Sequence, residues 1–446
     1  MSQQSPKWMR LDNAAKIYPA ASRRKWNAVF RLSATLNEKI DPKVLQSALE
    51  VTAKRFPSIA MRLKKGLFWY YLEEVTESPK VQEEDSFPCK KMPRSELKVC
   101  AFRVLYYENR ISTEFFHSLT DGNGGMVFLK TLVAEYLCQK EKICIKNTDG
   151  VLDRNELPMD SELEDSFLKY SGNVSASRRE PTAYKIRGER EMDGFLHITT
   201  GIIDSKEILE KAKEHKVSLT VYLISVLIKS ICKIQDKHVK IKAAKRHVKI
   251  LVPVNLRNFF ESSSLRNFVL YVTPGINPKM GDYSFEEILK AVYHQMGSEL
   301  TEKQLNSRIT ANVKVEKSAI LKVMPLFIKN FAMKTAYNLV GESKSCLTLS
   351  NLGVITLPEE MSEYVPRMDF LLGPQAIQNY SCAVLSYKDK LYINLSRTTI
   401  KPELEKAFYK ELVRQGIHVK IESNQRDEKP NLLYSEKDIR EIKDLK

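Results

Sequence analysis

Along the chain the apolar positions change period several times, and the sharpest change falls between residues 111 and 126. Ile111 to Phe116 alternates polar and β-forming residues, the period of a strand. From Met126 onward apolar residues recur at Val127, Leu129, Leu132, Val133, Tyr136 and Leu137, which is helical spacing. Between the two lies His117-Ser118-Leu119-Thr120-Asp121-Gly122-Asn123-Gly124-Gly125, whose Asp-Gly and Asn-Gly steps read as a tight turn. The pattern therefore predicts a strand, a turn and a helix, with His117 at the strand's end. A side chain there is held by a sheet yet can open into a cleft. A histidine so placed can take a proton near neutrality, because its ordinary pKa is about 6.5.

Before this stretch, the pattern predicts a strand from Trp26 to Leu36. A helix follows, with Asp41 as N-cap and Pro42 at its first position, ending before Pro57. Ile59 to Leu63 and Leu67 to Leu72 read as strands around Lys64-Lys65-Gly66, followed by a polar loop through Pro93. Val99 to Tyr107 and Ile111 to Phe116 read as a hairpin around Glu108-Asn109-Arg110. From about Asn147 to Glu191 the chain is polar and poor in apolar periodicity. That is too long for an ordinary loop and reads as a linker or partly ordered crossover.

Strands and helices then resume. A strand near Phe195 to Ile203 leads to a helix capped by Asp204, with Glu207 in the capping-box position. An apolar helix from Thr220 to Ile234 is expected under a sheet, followed by a strand from Val248 to Val254. Ser284 with Glu287 caps a further helix, and Val323 to Val340 reads as another, with Gly341 as its C-cap. Cys346 to Leu349 runs into a break at Ser350-Asn351-Leu352-Gly353. Strands follow near Met368 to Leu372, Cys382 to Tyr387 and Leu391 to Ser396, then a helix from Pro402 to Arg414 and a last strand from Ile417 to Ile421. The expected fold class is α/β (an α+β sandwich), with a first half over residues 1–146, a crossover linker over 147–191, a second half over 192–422 and a weakly ordered polar tail over 423–446.

Composition narrows the setting. The 446 residues, 43% hydrophobic, suffice for two domains or one bilobed unit with a sizeable core. Residues Met1 to Arg10 lack the apolar run of a signal region, and the longest apolar stretch, Val221 to Ile234, is broken by Ser225, Lys229, Ser230 and Lys233. No transmembrane segment is expected, and the expected location is cytoplasmic. Seven scattered cysteines with no Cys-x-x-Cys pair indicate neither a disulfide framework nor a zinc site. The net charge of +16 admits nucleic acid, an anionic membrane or an anionic small molecule as partner. The basic residues are spread along the chain, and the densest run, Lys240 to Lys249, carries no aromatics for base stacking. No nucleic-acid partner is therefore expected.

The motif His117-x-x-x-Asp121-Gly122 resembles the signature of the CoA-dependent acyltransferase superfamily. That superfamily includes chloramphenicol acetyltransferase, plant BAHD acyltransferases, peptide-synthetase condensation domains and alcohol acetyltransferases, and the chain is most similar to the last. Three further segments extend the resemblance. Val252-Pro253-Val254-Asn255-Leu256-Arg257 is similar to a second-lobe strand ending in an arginine, Leu265 to Pro274 to the architectural segment after it, and Ser350-Asn351-Leu352-Gly353 to the Ser-Asn-x-Gly of alcohol acetyltransferases. The plant-type Asp-Phe-Gly-Trp-Gly is absent, and Phe116 stands where condensation domains double the histidine.

The resemblance implies two chloramphenicol-acetyltransferase-like lobes with the active-site channel between them. It implies His117 as general base, Asp121 as a structural acid beside Gly122 and paired with Arg257, and Ser350 or Asn351 as donor to an oxyanion. The implied donor is acyl-CoA, most simply acetyl-CoA, as a co-substrate with no permanently bound cofactor and no metal. The implied acceptor is a small alcohol or amine, and no covalent acyl-enzyme forms. A monomer is compatible with these features. Three alternatives stay open: a condensation-type domain using carrier-bound donors, an inactive member that binds a ligand or partner, and a plain turn at Ser350-Asn351, since Ser, Asn and Gly all favour turns.

Overall fold

The computed structural model describes residues 8–22, 28–75, 77–176, 180–337 and 342–426. Expectations for the start of the strand at Trp26, for Gly341 and for most of the polar tail lie outside these residues. Among the described residues the strands form three sheets. A five-stranded sheet has the order Arg367–Leu372, Val29–Thr35, Arg110–Phe116, Phe102–Tyr107, Val81–Glu83. An eight-stranded sheet runs Val269–Val272, Val248–Asn255, Leu347–Ile355, Tyr380–Tyr387, Lys390–Arg397, His197–Asp204, Lys420–Ser423, with Gly275–Ile276 also on Val248–Asn255. A small sheet joins Trp8–Arg10, Tyr70–Glu74 and Met61–Lys65.

Each large sheet buries one face under helices. In the first half Pro42–Arg55 packs against Gly122–Glu141, and the latter lies on the strands Val29–Thr35 and Arg110–Phe116. Asp41 caps the first of these helices by accepting from the Lys43 and Val44 N–H groups, as its place before Pro42 predicts. In the second half the apolar helix extends over Leu219–His238 and lies between Phe285–Glu299 and Glu403–Arg414, which explains why it is hydrophobic on most faces. Ser284 and Glu287 form a reciprocal capping box. The corresponding expectation for Asp204 and Glu207 is only half met. Asp204 accepts from Lys206 N–H, but Glu207 accepts from the backbone N–H of His418 at 3.0 Å and faces its Nδ1 at 2.8 Å. A tertiary donor has displaced the local one.

Three further points follow from context. The helix expected over Val323 to Val340 starts only at Leu326, after Pro325, and runs to Ala336; a separate short helix, Ala319–Val323, precedes it, and residues 338–340 lie outside the described residues. Proline has no N–H to continue the ladder and pushes its predecessor out of the helical region. The crossover, which reads as a linker or a partly ordered segment, is ordered in part where it is described. It contains the short helices Asp160–Leu163 and Ser166–Lys169, buries Phe167 against Phe268 and pairs Glu162 with Arg55 through two bonds of 2.7 and 2.8 Å. Finally, division by sequence position does not divide the sheets. Arg367–Leu372, far into the second half, runs antiparallel to Val29–Thr35 and completes the first-half sheet. All seven cysteines are free thiols. No single helix among the described residues is long and apolar enough to cross a membrane.

Candidate active site

His117 follows directly on the strand Arg110–Phe116, and its backbone N–H donates to the Ala28 carbonyl at 2.9 Å. The backbone of this histidine is thus held by the neighbouring strand end. Its ring is stacked on Tyr18 (centroids 4.6 Å apart, planes at 16°) and meets the edge of Phe30 at 5.0 Å. Nδ1 lies 3.0 Å from Oδ1 of Asn267. The orientation of that amide is decided one step further back. Asn267 Nδ2 and the Asn267 backbone N–H both point at Oδ2 of Asp12, at 3.2 and 3.3 Å. Ala15 N–H donates to the other oxygen of Asp12 at 2.7 Å, and Arg266 Nε lies 4.0 Å away. Every hydrogen bond on Asp12 comes from a donor, so Asp12 is an acceptor. Turning the Asn267 amide would set its oxygen against a carboxylate. Asn267 therefore offers Oδ1 to the imidazole, the proton sits on Nδ1, and the lone pair is left on Nε2.

Enclosure by protein lowers the His117 pKa below its ordinary 6.5, and hydrogen bonding to its own backbone, the Asp121 charge, the Asn267 side chain and the Thr120 backbone oppose that shift without cancelling it. The imidazole is accordingly neutral at pH 7. Burial pushes the Asp12 carboxyl upward, with the Arg266 charge and its N–H donors pulling the other way.

Asp121 does not reach the imidazole by any hydrogen bond the structure contains. One oxygen caps the helix Gly122–Glu141, accepting from Asn123 and Gly124 N–H at 3.1 Å each. Its other oxygen accepts from Arg257 Nη1 at 2.7 Å and Phe268 N–H at 2.9 Å. Arg257 spends its remaining donors on Asn255 Oδ1 and on the carbonyls of Ser264 and Arg266. The acid and the arginine come from different halves, and both are satisfied all round, which is what keeps a buried pair from being a net cost. No shape other than glycine fits at position 124. A Cβ there would collide with the Leu265 carbonyl and Thr120 Oγ1. Gly124→Ala should destabilise the protein by about 1–3 kcal/mol, the usual range for overpacking, read as a lower midpoint in denaturant. At Gly122 a Cβ would stand 2.7 Å from a Leu352 methyl, so this glycine lets the second half close onto the motif.

His117, Asp121 and Gly122 face Ser350, Asn351, Leu352 and Gly353 across one channel of about 1190 Å³ between the two sheets. The expected break at Ser350 is instead a bulge within the strand Leu347–Ile355. Its register against Tyr380–Tyr387 slips between Asn351 and Val354, with Gly353 at φ +75°. A bulge re-aims side chains without ending the strand. Asn351 is largely engaged, its Oδ1 accepting from Gly353 N–H at 2.8 Å and its Nδ2 lying 3.2 Å from Thr220 Oγ1. Ser350 makes no side-chain hydrogen bond among the described residues and lines the same channel. Arg257 stands behind Asp121 rather than in the channel lining, and Phe116 is fully buried in the first-half core.

Sequence reasoning assigned no chemistry to Leu265 through Pro274 and passed over Asp12 and Tyr18. The structure puts Asn267 and Tyr18 against the imidazole and Asp12 behind Asn267. Asp12 and Asn267 are 255 positions apart, and no local pattern marks either. Lys130 was missed as well. It follows Gly122, Met126 and Val127 along the channel-facing side of the motif helix, about 12 Å from the helix start at ~1.5 Å per residue. Its ammonium donates to the Asp149 carbonyl at 2.7 Å, and burial pulls its pKa down to about 8.

By sequence the chain matches no family profile and no curated protein. By structure it matches several. F. graminearum TRI101 complexed with coenzyme A and T-2 mycotoxin superposes with a TM-score of 0.62 at 12% identity, over 93% of this chain and 99% of that one. The trichothecene 15-O-acetyltransferase TRI3 from Fusarium sporotrichioides gives 0.60 at 11%, over 92% and 96%. The epimerization domain from the third module of tyrocidine synthetase B gives 0.55 at 10%, over 93% and 98%. The chain has the two-lobed CoA-dependent acyltransferase and condensation-domain fold. The match spans nearly the whole chain at identities that carry the fold alone. Within the two-lobed fold, His117 lies at a strand end in one lobe, and the bulged Ser350-Asn351 segment lies across the channel from it in the other.

Proposed function

We propose that the protein is an acyltransferase that moves an acyl group, acetyl in the simplest case, from CoA to a hydroxyl or amine acceptor. The observation that supports it is the Asp12–Asn267–His117 series, which leaves a neutral imidazole with its lone pair on Nε2 beside an interlobe channel. In the reaction, Nε2 removes the acceptor proton as its oxygen or nitrogen attacks the thioester carbonyl. The tetrahedral oxyanion is steadied by Ser350 Oγ, with Asn351 holding the bulge in shape. The C–S bond then breaks, and the CoA sulfur takes the proton from His117. General-base help of this kind is worth about 10²–10⁴-fold. Asp121 and Arg257 hold the motif loop and touch no reacting atom. Direct transfer needs no acyl-enzyme, and no Gly-x-Ser-x-Gly nucleophile motif occurs in the chain. CoA as donor gains support from TRI101 of the same fold, solved with coenzyme A and with T-2 or deoxynivalenol. Phe116, buried where condensation domains carry a second histidine, favours a free CoA donor over a carrier protein.

The test is to incubate the enzyme with acetyl-CoA and a panel of alcohols and amines and to follow thiol release against a His117→Ala control. Release above the control with at least one acceptor is expected. Donation only from a phosphopantetheine-loaded carrier protein would give the reaction to the condensation type.

Two further outcomes are expected of the wild type and of Asn267. The base must be unprotonated, so kcat/KM should rise with pH in one step whose midpoint lies below 6.5. Asn267→Ala removes the side-chain acceptor on Nδ1. One hydrogen bond to a group that becomes charged is worth about 1.5–3 kcal/mol, so activity should fall about 10–100-fold. Because that bond favours the protonated ring, the pH midpoint should also move lower still, a shift that simple loss of folded protein would not cause.

A further inference from the structure

The short helix Ala319–Val323 and the helix Leu326–Ala336 roof one end of the channel, and their two sides differ. On the inner side Lys329 is fully buried. It donates to the Phe68 carbonyl at 3.0 Å, and its ammonium lies 3.8 Å from the centre of the Trp69 ring. Ala332 and Met333 line the channel from the same helix. On the outer side the large apolar residues are left in solvent: Val323 is 71% exposed, Phe327 71% and Phe331 74%, with Ile328 half-exposed beside them. Phe327 and Phe331 are one turn apart and share a face. Leu326 N–H donates to the Leu67 carbonyl at 3.1 Å, which seats the turn after Lys65 against the helix start and adds Leu67, 74% exposed, to the same surface.

Charge accompanies this surface. From Lys317 to Tyr337 the chain has four lysines and no acidic residue. Lys317, Lys322 and Lys334 are exposed and make no ion pair among the described residues. Of the acids that share a groove with Lys317 and Lys322, Glu316 is engaged by Lys16 and Asn13 and Glu73 by Arg62 and Lys64, while Glu74 is exposed. Exposed aromatic and aliphatic side chains flanked by unpaired lysines match the surface of an anionic bilayer: the apolar groups enter the acyl boundary and the ammonium groups meet the lipid phosphates. A protein partner would demand shape and paired acids. A bilayer requires only these two kinds of group.

We propose that this face docks the protein on anionic lipid membranes, in the plane of the interface and without spanning it. Docked this way, the end of the channel beside Ala332 and Met333 faces the bilayer. The inference is independent of the reaction assigned above, because binding can be read without turnover.

Full-length protein is sedimented with vesicles of phosphatidylcholine alone and of phosphatidylcholine mixed with phosphatidylglycerol, at low and high salt. Binding to the mixed vesicles, weak binding to the neutral ones and weakening by salt are expected. Phe327→Ser with Phe331→Ser should reduce partitioning by roughly tenfold or more. Lys322→Gln with Lys334→Gln should reduce it about fivefold per charge, on the anionic vesicles alone. All four side chains are exposed, so circular dichroism and melting should be unchanged. The proposal is overturned by absence of binding to the anionic vesicles or by undiminished binding of the folded serine variant. It is equally overturned if the wild type forms a dimer that the serine variant dissociates while neither binds lipid, since the face would then belong to a second copy of the chain.

Discussion

His117→Ala is expected to abolish CoA release from acetyl-CoA in the presence of an acceptor, a loss of about 10²–10⁴-fold, while the protein remains folded at neutral pH. The size of the loss follows from chemistry. At neutral pH a hydroxyl attacks a thioester poorly unless its proton is removed as the bond forms, and His117 is the group proposed to remove it. Lys130 is on the same channel wall, but it follows Gly122 by eight positions, and at a pKa of about 8 it is largely an ammonium at pH 7. The stability side is also explicit. His117 is held neutral, with a folded pKa below its unfolded value, so the native state binds fewer protons than the unfolded chain between the two. Its contribution to stability is fully present above about pH 6.5 and is lost as pH falls towards the folded pKa. Alanine at 117 should remove part of that acid sensitivity. A variant that keeps wild-type melting and near wild-type turnover would remove His117 from the mechanism.

Asp121→Ala should fail differently, losing stability and activity together. Removing one partner of a buried ion pair typically costs about 3–5 kcal/mol, because the other charge is left without its counterpart. Here the loss reaches further, since four donors converge on this carboxylate: Arg257 Nη1, Phe268 N–H, and the Asn123 and Gly124 N–H groups of the helix start. The variant strands a guanidinium at the lobe interface and uncaps the motif helix. Chemical denaturation of Asp121→Ala, Arg257→Ala and the double variant separates the parts. If the two residues act as a pair, the double variant should be no worse than the sum and markedly better than it by the coupling energy. Strict additivity would mean that each side chain acts alone.

Along the sequence, local rules determined a good deal. Alternation up to Phe116 and helical spacing after Met126 placed His117 at a strand end, and Asp41 before Pro42 and Ser284 with Glu287 marked helix starts that the structure contains. Such features depend on residues within one or two turns of each other, so they can be read in one dimension. The pairing of Asp121 with Arg257 is not legible in this way: only the resemblance to the acyltransferase superfamily implies it, and the two side chains meet at 2.7 Å across the halves.

Only the tertiary structure decided the rest. Asp12 and Asn267 carry no local mark, because their roles come from facing each other and an imidazole across the lobe boundary. The tautomer of His117 is therefore not a property of its own segment. Glu207 was drawn from a local cap to His418 by a donor that the sequence places 211 positions away. The strand Arg367–Leu372 pairs with Val29–Thr35 in the sheet of the other half, a partner more than 300 positions away that no local pattern marks. Likewise, Phe327 and Phe331 look like core residues by type. Whether an apolar helical face is covered or left in solvent depends on what packs against it, and that is settled by the fold as a whole.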